Sequence, residues 1–347
     1  MKQVKTVLAG LGRIGWQFHM PNILAHEGFA LTGVCDPVEE RLREAEALCP
    51  VTGYTDFTAM LAAEKPELVV LASPTHLHAE QAIYAMEQGC DVFTDKPIAP
   101  DLAETDRILA AMERTGRKLM VYQPHRGTAE TCTLRELLRS GIIGKVYLMK
   151  MSSTAFLHRN DWQAFKKYGG GMLNNYGAHI IDKQLYLAGA SAVSVHGHMN
   201  RITSAGDADD FVKLLLLTEN GVTLDIEINM AAAIDLPDTI VYGSYGAIQR
   251  IHDENTGAAY RVRYFDPAEQ PAIVASDDLA AANRKYITAE PQNWHEQVVP
   301  IRADAAVRFY DECYAYFAEG KPPFVPVTET REVMRVIAEC RKDAGWA

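Results

Sequence analysis

Predicted strands and helices alternate along residues 4–122, and this alternation constrains the fold more than any other feature of the sequence. One predicted strand, Leu68–Ala72, is a continuous apolar run, as is typical of a parallel strand buried on both faces. The alternation predicts an α/β domain with a doubly wound parallel sheet. The predicted strands are Val4–Ala9, Phe29–Cys35, Leu68–Ala72, Cys90–Thr94 and Lys118–Tyr122, and the predicted helices cover residues 13–25, 38–48, 77–88 and 102–115.

A glycine-rich turn, Gly10-Leu-Gly-Arg-Ile-Gly15, separates the first predicted strand from the first predicted helix. Such glycines permit a tight turn, close backbone approach to a pyrophosphate, and close packing of helix on strand. Asp36 ends the second strand, where a carboxylate can accept hydrogen bonds from the adenosine ribose and repel a 2′-phosphate. These features predict a Rossmann domain that prefers NAD to NADP. The predicted cofactor-binding residues here are Gly10, Gly12, Arg13, Ile14, Gly15 and Asp36.

Two polar segments follow later strands of the same sheet, Ser73-Pro74-Thr75-His76 and Asp95-Lys96-Pro97. A proline disfavours helical conformation in the residue before it, so Lys96 is expected to be extended at the strand's carboxyl end. Ligands of doubly wound sheets bind at that edge, although a helix-capping Thr75 and a surface lysine are the alternative interpretations. The predicted cofactor site therefore also includes Ser73, Pro74, Thr75, His76, Asp95 and Lys96.

The second half has a different pattern, with strands of alternating polarity such as Val222–Met230. This pattern predicts a large, mostly antiparallel sheet with one face on helices and the other more open. A helix predicted from Met172 to about Leu187 places Asn175, His179 and Asp182 on one face. The other predicted strands are Lys145–Ala155, Ala192–Met199, Phe211–Leu217 and Thr239–Gly243.

Length and composition narrow the classes of protein that fit. A chain of 347 residues favours two domains, which we place at 1–124 and 125–347, with the last helix able to pack back on the first domain. The net charge of −11 has no basic patch, which argues against a nucleic-acid partner. Six scattered cysteines without close pairs indicate reduced thiols in a cytoplasm rather than a metal site, and no apolar run is long enough for a membrane span.

In order and spacing, the motifs resemble those of the Gfo/Idh/MocA oxidoreductases. The match comprises the glycine-rich turn, Asp36, the segments 73–78 and 95–97, the run from Gly169 to Asp182, and the tail from Phe324. The resemblance implies hydride transfer between NAD(P) and a secondary alcohol of a sugar, inositol or related polyol. It also implies a homo-oligomer, a dimer or tetramer.

Carried onto this sequence, the catalytic set that the resemblance implies is Lys96, position 175 and His179. Position 175 is Asn where the family often has Asp, and Asp95 replaces the usual Glu. An amide can orient an imidazole but cannot stabilise an imidazolium with a negative charge. We expect His179 to be the general base and Lys96 to stabilise the developing alkoxide, while a lysine of lowered pKa relaying the proton is the alternative.

The substrate itself is left open by the sequence. The predicted substrate-binding residues are Lys96, Arg126, Trp162, Asn175 and His179. The alternatives are a domain hinge for the segment with Arg126 and a hydrophobic anchor in a solvated loop for Trp162. We expect the irregular segment 277–293 to be a flap or an oligomer contact. The alternatives to a dehydrogenase are a non-redox lyase or glycoside-cleaving enzyme with tightly bound NAD, and a non-catalytic cofactor-sensing regulator.

Overall fold

A computed structural model describes residues 2–270 and 292–346 of the chain. Of the segment 277–293, predicted to be a flap or an oligomer contact, only Gln292 and Asn293 lie within the described residues. Among those residues no helix is both long and apolar enough to cross a membrane.

The first sheet has six parallel strands in the order β3-β2-β1-β4-β5-β6, with the glycine-rich turn at the switch between β1 and β4. Its strands are β1 (Val4–Ala9), β2 (Phe29–Cys35), β3 (Thr52–Tyr54), β4 (Leu68–Leu71), β5 (Asp91–Asp95) and β6 (Leu119–Tyr122). Its helices are α1 (Met20–Ala25), α2 (Glu39–Leu48), α3 (Phe57–Glu64), α4 (His78–Glu87) and α5 (Leu102–Thr115). All four β4 residues are buried, which confirms the prediction from their apolar run.

The second sheet has eight described strands in the order β14-β13-β12-β11-β7-β10-β9-β8, with β7 and β10 as its one parallel pair. Its strands are β7 (Val146–Thr154), β8 (Ala192–Asn200), β9 (Phe211–Thr218), β10 (Thr223–Asn229), β11 (Thr239–Gly243), β12 (Gly246–Asp253), β13 (Gly257–Tyr264) and β14 (His295–Pro300). The remaining helices are α6 (Ala129–Arg139), α7 (Ala178–Ala188), α8 (Phe309–Phe317) and α9 (Val327–Asp343).

The alternation in β10 sorts its side chains between the two faces. Leu224, Ile226 and Ile228 are fully buried under the helices, while the residues between them are partly exposed. The predicted fold class, a Rossmann sheet followed by a mostly antiparallel sheet, is confirmed. The strand β3, the strands β12–β14 and the helices α3, α6 and α8 were not predicted.

Helix α8 packs on the first sheet although it lies within the range 125–347 that we predicted as the second domain. The Phe309 ring stacks on Phe93 of β5 at 6.0 Å, and Tyr310 meets Phe29 of β2 edge to face at 5.8 Å. Helix α9 contacts α5 and β6 of the first layer as well as α7 and β8 of the second. The first core is therefore completed by a helix from far along the chain.

Candidate active site

The three glycines of the turn after β1 differ in what surrounds them. Gly10 has a φ of 95°, and a Cβ there would lie 2.5 Å from the Ala72 backbone. A Cβ on Gly15 would overlap the carbonyl oxygen of Gly10, whereas one on Gly12 would meet no atom within 4 Å. Gly10 and Gly15 are therefore required by the packing of the protein itself. Gly12 leaves open space in front of the turn, which fits a pyrophosphate approaching the backbone.

The helix after the turn begins at Arg13, as predicted, and includes a π-helical segment, Gly15–His19. Arg13 is exposed and Ile14 is half-buried. The positive charge of Arg13 contributes to lowering the pKa of Lys96, so the two cations lie on the same side of the sheet. An exposed cation next to free amides at a helix start suits a phosphate-bearing ligand.

Asp36, just beyond the end of β2, is almost fully buried at 3% exposure. Its carboxylate accepts hydrogen bonds from the Leu11 amide at 2.8 Å and from the Val38 amide at 3.0 Å. The Arg41 guanidinium lies 3.3 Å from both carboxylate oxygens. The two amides use half of the four acceptor sites of the carboxylate, and the longer Arg41 contacts reach both oxygens, so ribose hydroxyls would share the carboxylate with Arg41. Asp36 is thus held against the glycine-rich turn.

The loop after β4 lies on the other side of that turn. Thr75 is buried, Pro74 and His76 are exposed, and the Ser73 hydroxyl donates to Gln81 at 2.5 Å. His78 is a residue that the sequence did not single out. Its ring nitrogens contact the carbonyl oxygens of Ser73 at 2.8 Å and Pro97 at 3.1 Å, so this buried imidazole ties the loop to the segment that contains Lys96.

Lys96 follows the end of β5 and reaches across to the second half of the chain. Its Nζ donates to the main-chain oxygen of Asn175 at 2.9 Å and to the Asn175 Oδ1 at 3.2 Å. Burial lowers the pKa of the Lys96 ammonium, while the neighbouring Asp95 carboxylate opposes this effect. Burial also raises the pKa of Asp95 to about 6, against the nearby charges of Lys96 and Arg13. Lys96 therefore has a neutral amide, not a carboxylate, as its hydrogen-bonding partner.

The helix that presents Asn175 and His179 begins with a π-helical turn, Leu173–Gly177, and continues as α7. Asp209 holds its start by accepting a hydrogen bond from the Leu173 amide at 2.7 Å. The Asp209 side chain fills the space where Gly171 would carry a Cβ, so the glycine is needed for this contact. Because the turn Leu173–Gly177 is π-helical, Asn175 and His179 are not related by the regular α-helical i, i+4 geometry that was predicted.

His179 is stacked against His125, with ring centroids 3.9 Å apart and planes inclined by 12°. The Nδ1 atom of His179 is buried and has no hydrogen-bond partner within residues 2–270 and 292–346. Burial holds the pKa of His179 well below its ordinary value, and the charge of Lys96 acts in the same direction. Burial and the charges of Lys183 and Lys96 lower the pKa of His125 to about 4. Both imidazoles are neutral at pH 7, and a neutral imidazole can accept a proton.

Arg126 does not lie in the open cleft, which corrects its prediction as a substrate-binding residue. Its side chain is 2% exposed and forms a two-pronged ion pair with the fully buried Asp182, at 2.8 and 2.5 Å. Glu329 of α9 also accepts from the same guanidinium. Asp182, which we predicted to share a helix face with Asn175 and His179, thus anchors α7 to the turn that carries Arg126.

The loop that precedes Gly169 contributes a further polar contact. Gln163 accepts a hydrogen bond from the Asn175 Nδ2 at 3.2 Å and another from Arg159. The adjacent Trp162 is 43% exposed at the edge of this cluster. The polar loop that contains Gln163 and Arg159 suits a polyhydroxylated substrate by its sequence, but of its residues only Trp162 was predicted as a site residue, because the contact with Asn175 depends on tertiary packing.

Apart from Arg126, the predicted residues lie at one edge, where the carboxyl ends of β1, β4 and β5 meet the start of α7. The described residues contain no group of three His, Cys, Asp or Glu side chains that could hold a metal ion. The cluster offers an ammonium donor, a neutral imidazole and an amide beside a phosphate-accepting turn. This set suits proton transfer and charge stabilisation next to a bound dinucleotide.

Two family models match this chain. Residues 4–123 match the model of an oxidoreductase family with an NAD-binding Rossmann fold, and residues 131–249 match the GFO/IDH/MocA C-terminal domain. D-glucoside 3-dehydrogenase of Escherichia coli strain K12 is 30% identical over 56% of this chain, and the aligned part spans 57% of that enzyme. Inositol 2-dehydrogenase of Streptomyces avermitilis is 28% identical over 82% of this chain and 85% of its own length.

A solved NAD-binding protein from Listeria innocua has the same architecture. It superposes with a TM-score of 0.81 at 25% identity, covering 99% of this chain and 95% of its own. Both halves of the chain, and not the Rossmann part alone, therefore match one family. The chain belongs to the Gfo/Idh/MocA family of oxidoreductases.

Proposed function

We propose that this protein is an NAD-dependent dehydrogenase that removes hydride from a secondary alcohol of a sugar, inositol or related polyol. The observation that supports this most directly is the contact of Lys96, at the carboxyl end of β5, with Asn175 on the helix of His179. This contact supports a role for Lys96 as a cationic donor next to the helix that would supply the base. The relatives named glucoside 3-dehydrogenase and inositol 2-dehydrogenase support this substrate class.

The proposed cofactor site fits the open space in front of Gly12. The backbone from Gly10 to Gly15, with Arg13 and Ile14, would hold the pyrophosphate, and Asp36 would accept from the ribose hydroxyls. Ser73, Pro74, Thr75, His76 and Asp95 would line the nicotinamide end. The nicotinamide supplies the hydride acceptor.

In the proposed mechanism His179 accepts the proton of the substrate hydroxyl as the hydride leaves. Lys96, held by the two oxygens of Asn175, donates a hydrogen bond to the same substrate oxygen and stabilises its developing negative charge. Asn175 and the exposed Trp162 would bind the substrate beside them. Asn175 would fix the direction of the Lys96 ammonium without adding a negative charge of its own, so the positive charge of Lys96 would act on the alkoxide.

Lys96→Met and His179→Ala test this mechanism. Each is expected to lower turnover by roughly 10²-fold or more, because each removes a group that acts on the proton or the developing charge. Initial rates of NADH formation across inositols, aldoses and glycosides measure turnover, and NADH fluorescence measures binding, which should persist. Lys145→Met and His252→Ala change exposed residues of the same types and serve as matched controls. A His179→Ala enzyme with more than a tenth of the original turnover would place the base elsewhere.

The preference for NAD over NADP is part of the proposal and rests on Asp36. A 2′-phosphate would meet a carboxylate held in place by two amides, although Arg41 lies beside it. We expect Asp36→Ser to lower the ratio of kcat/KM with NAD to kcat/KM with NADP at least tenfold. The substitution removes the like charge and leaves Arg41 free for the phosphate. Equal kcat/KM with both cofactors in the unaltered enzyme contradicts this part.

We also propose that the chain forms a homo-oligomer through the open face of the second sheet. The support is the exposure of apolar side chains there, including Leu215 and Leu217 of β9 at 43% and 42% and Val298 of β14 at 39%. Light scattering after gel filtration measures the mass. A monomer at micromolar concentration contradicts the proposal.

A further inference from the structure

The stacked ring of His125 forms part of a two-point attachment of α7. His125 and Arg126 are consecutive residues in the short helical turn Pro124–Gly127, directly after β6. His125 stacks on His179 while Arg126 pairs with Asp182, one turn further along α7. Two adjacent side chains of one turn thus contact two residues of α7 that are three positions apart. The position of His125 is therefore fixed both by its own stacking contact and by the ion pair of its neighbour Arg126.

The His179 ring lacks the contact that usually orients a catalytic histidine. A base is commonly held by a carboxylate or carbonyl that accepts from its second nitrogen. Here the buried Nδ1 of His179 has no hydrogen-bond partner among the residues that the structure describes. The described contact that defines the plane of the ring is the parallel face of His125, with centroids 3.9 Å apart.

The charges around the pair also bear on its protonation. Lys96 at the end of β5 faces both rings, while Lys183 of α7 and Glu130 of α6 face His125. Asp182 of α7 is engaged by Arg126 and does not face the stack. Two cationic rings at this separation would repel each other and Lys96, so the pair excludes a second proton.

We propose that His125 is a positioning residue for His179: its face fixes the plane of the His179 imidazole and shields it from water, so that His179 remains neutral and ready to accept a proton. This inference rests on the proposed role of His179 as the base. It assigns to His125 no contact with the reacting atoms. The flat surface of the ring, and not its nitrogens, performs the role.

The test compares His125→Phe, which keeps a flat ring, with His125→Ala, which removes it. His252→Phe changes an exposed histidine and is the control. We expect His125→Ala to lower kcat roughly tenfold with little change in KM. The kcat of His125→Phe should stay within roughly threefold of that of the unaltered enzyme. The acid limb of the kcat/KM profile should move to higher pH in His125→Ala alone. A His125→Phe enzyme as slow as His125→Ala overturns the proposal, because the nitrogens are then required.

A second measurement does not depend on turnover. Histidine ring nitrogens of the ¹⁵N-labelled full-length protein are titrated by NMR, with His179 assigned from its loss in His179→Gln. In the unaltered protein and in His125→Phe the His179 signal should remain that of a neutral ring from pH 8 to pH 6. In His125→Ala it should protonate in that range, because water reaches the ring. An unchanged His179 titration in a folded His125→Ala protein overturns the inference. If the titrations behave as predicted but no alcohol substrate is oxidised, only the proposed function is overturned.

Discussion

The ion pair between Arg126 and Asp182 predicts a large stability effect for Asp182→Asn. The two side chains are 2% and 0% exposed and form two hydrogen bonds, so the substitution leaves a buried guanidinium facing a neutral amide. Removing one partner of a buried pair costs about 3–5 kcal/mol. Glu329 still contacts the guanidinium, but it is 49% exposed, so it offsets up to about 1 kcal/mol. The expected loss in the free energy of unfolding is about 2–4 kcal/mol.

Urea unfolding followed by far-UV circular dichroism measures this loss. Glu329→Gln is the matched control, because it neutralises the exposed partner of the same guanidinium and should cost less than about 1 kcal/mol. The double variant Arg126→Met with Asp182→Leu removes both charges and should recover most of the stability, since apolar replacements of buried pairs are often near neutral. The reasoning is refuted if Asp182→Asn stays within about 1 kcal/mol of the unaltered protein, or if Glu329→Gln costs as much.

Further predictions concern the cofactor turn and Lys96. Gly12→Ala should leave the free energy of unfolding within about 1 kcal/mol, because its Cβ meets no atom, yet weaken NADH binding at least tenfold by fluorescence titration. Gly15→Ala should instead lower the urea midpoint, because its Cβ overlaps the Gly10 carbonyl oxygen; an equal loss of stability in both variants contradicts this assignment. Asn175→Asp should raise the pKa of Lys96 by placing a carboxylate where Oδ1 lies at 3.2 Å. Since the ammonium is then retained to higher pH, the alkaline fall of kcat/KM should move to higher pH, and an unchanged profile would show that Lys96 is not the group that titrates.

Local sequence was most informative where one residue type or one apolar run decides the conformation. The bounds of β1, β2, α5 and β11 agree with those predicted, because apolar runs and flanking turn residues act over only a few positions. The edge strand β3 was missed, since three residues around a glycine show no apolar period. Helix α8 was missed for a different reason: its aromatic face is defined by the rings of Phe29 and Phe93, which lie far away in the chain.

The sequence by itself determined that a dinucleotide-binding turn, a lysine at the end of β5 and a histidine on a later helix occur in one chain. Glycine permits backbone conformations that other residues avoid, and proline restricts the residue before it, so these motifs are readable without partners. Only the tertiary structure decided that Arg126 pairs with Asp182 instead of facing the cleft, and that His125 stacks on His179. These contacts join residues more than 50 positions apart. Which buried charge or ring a side chain meets depends on how the turn after β6 packs against α7, and no local pattern records that packing.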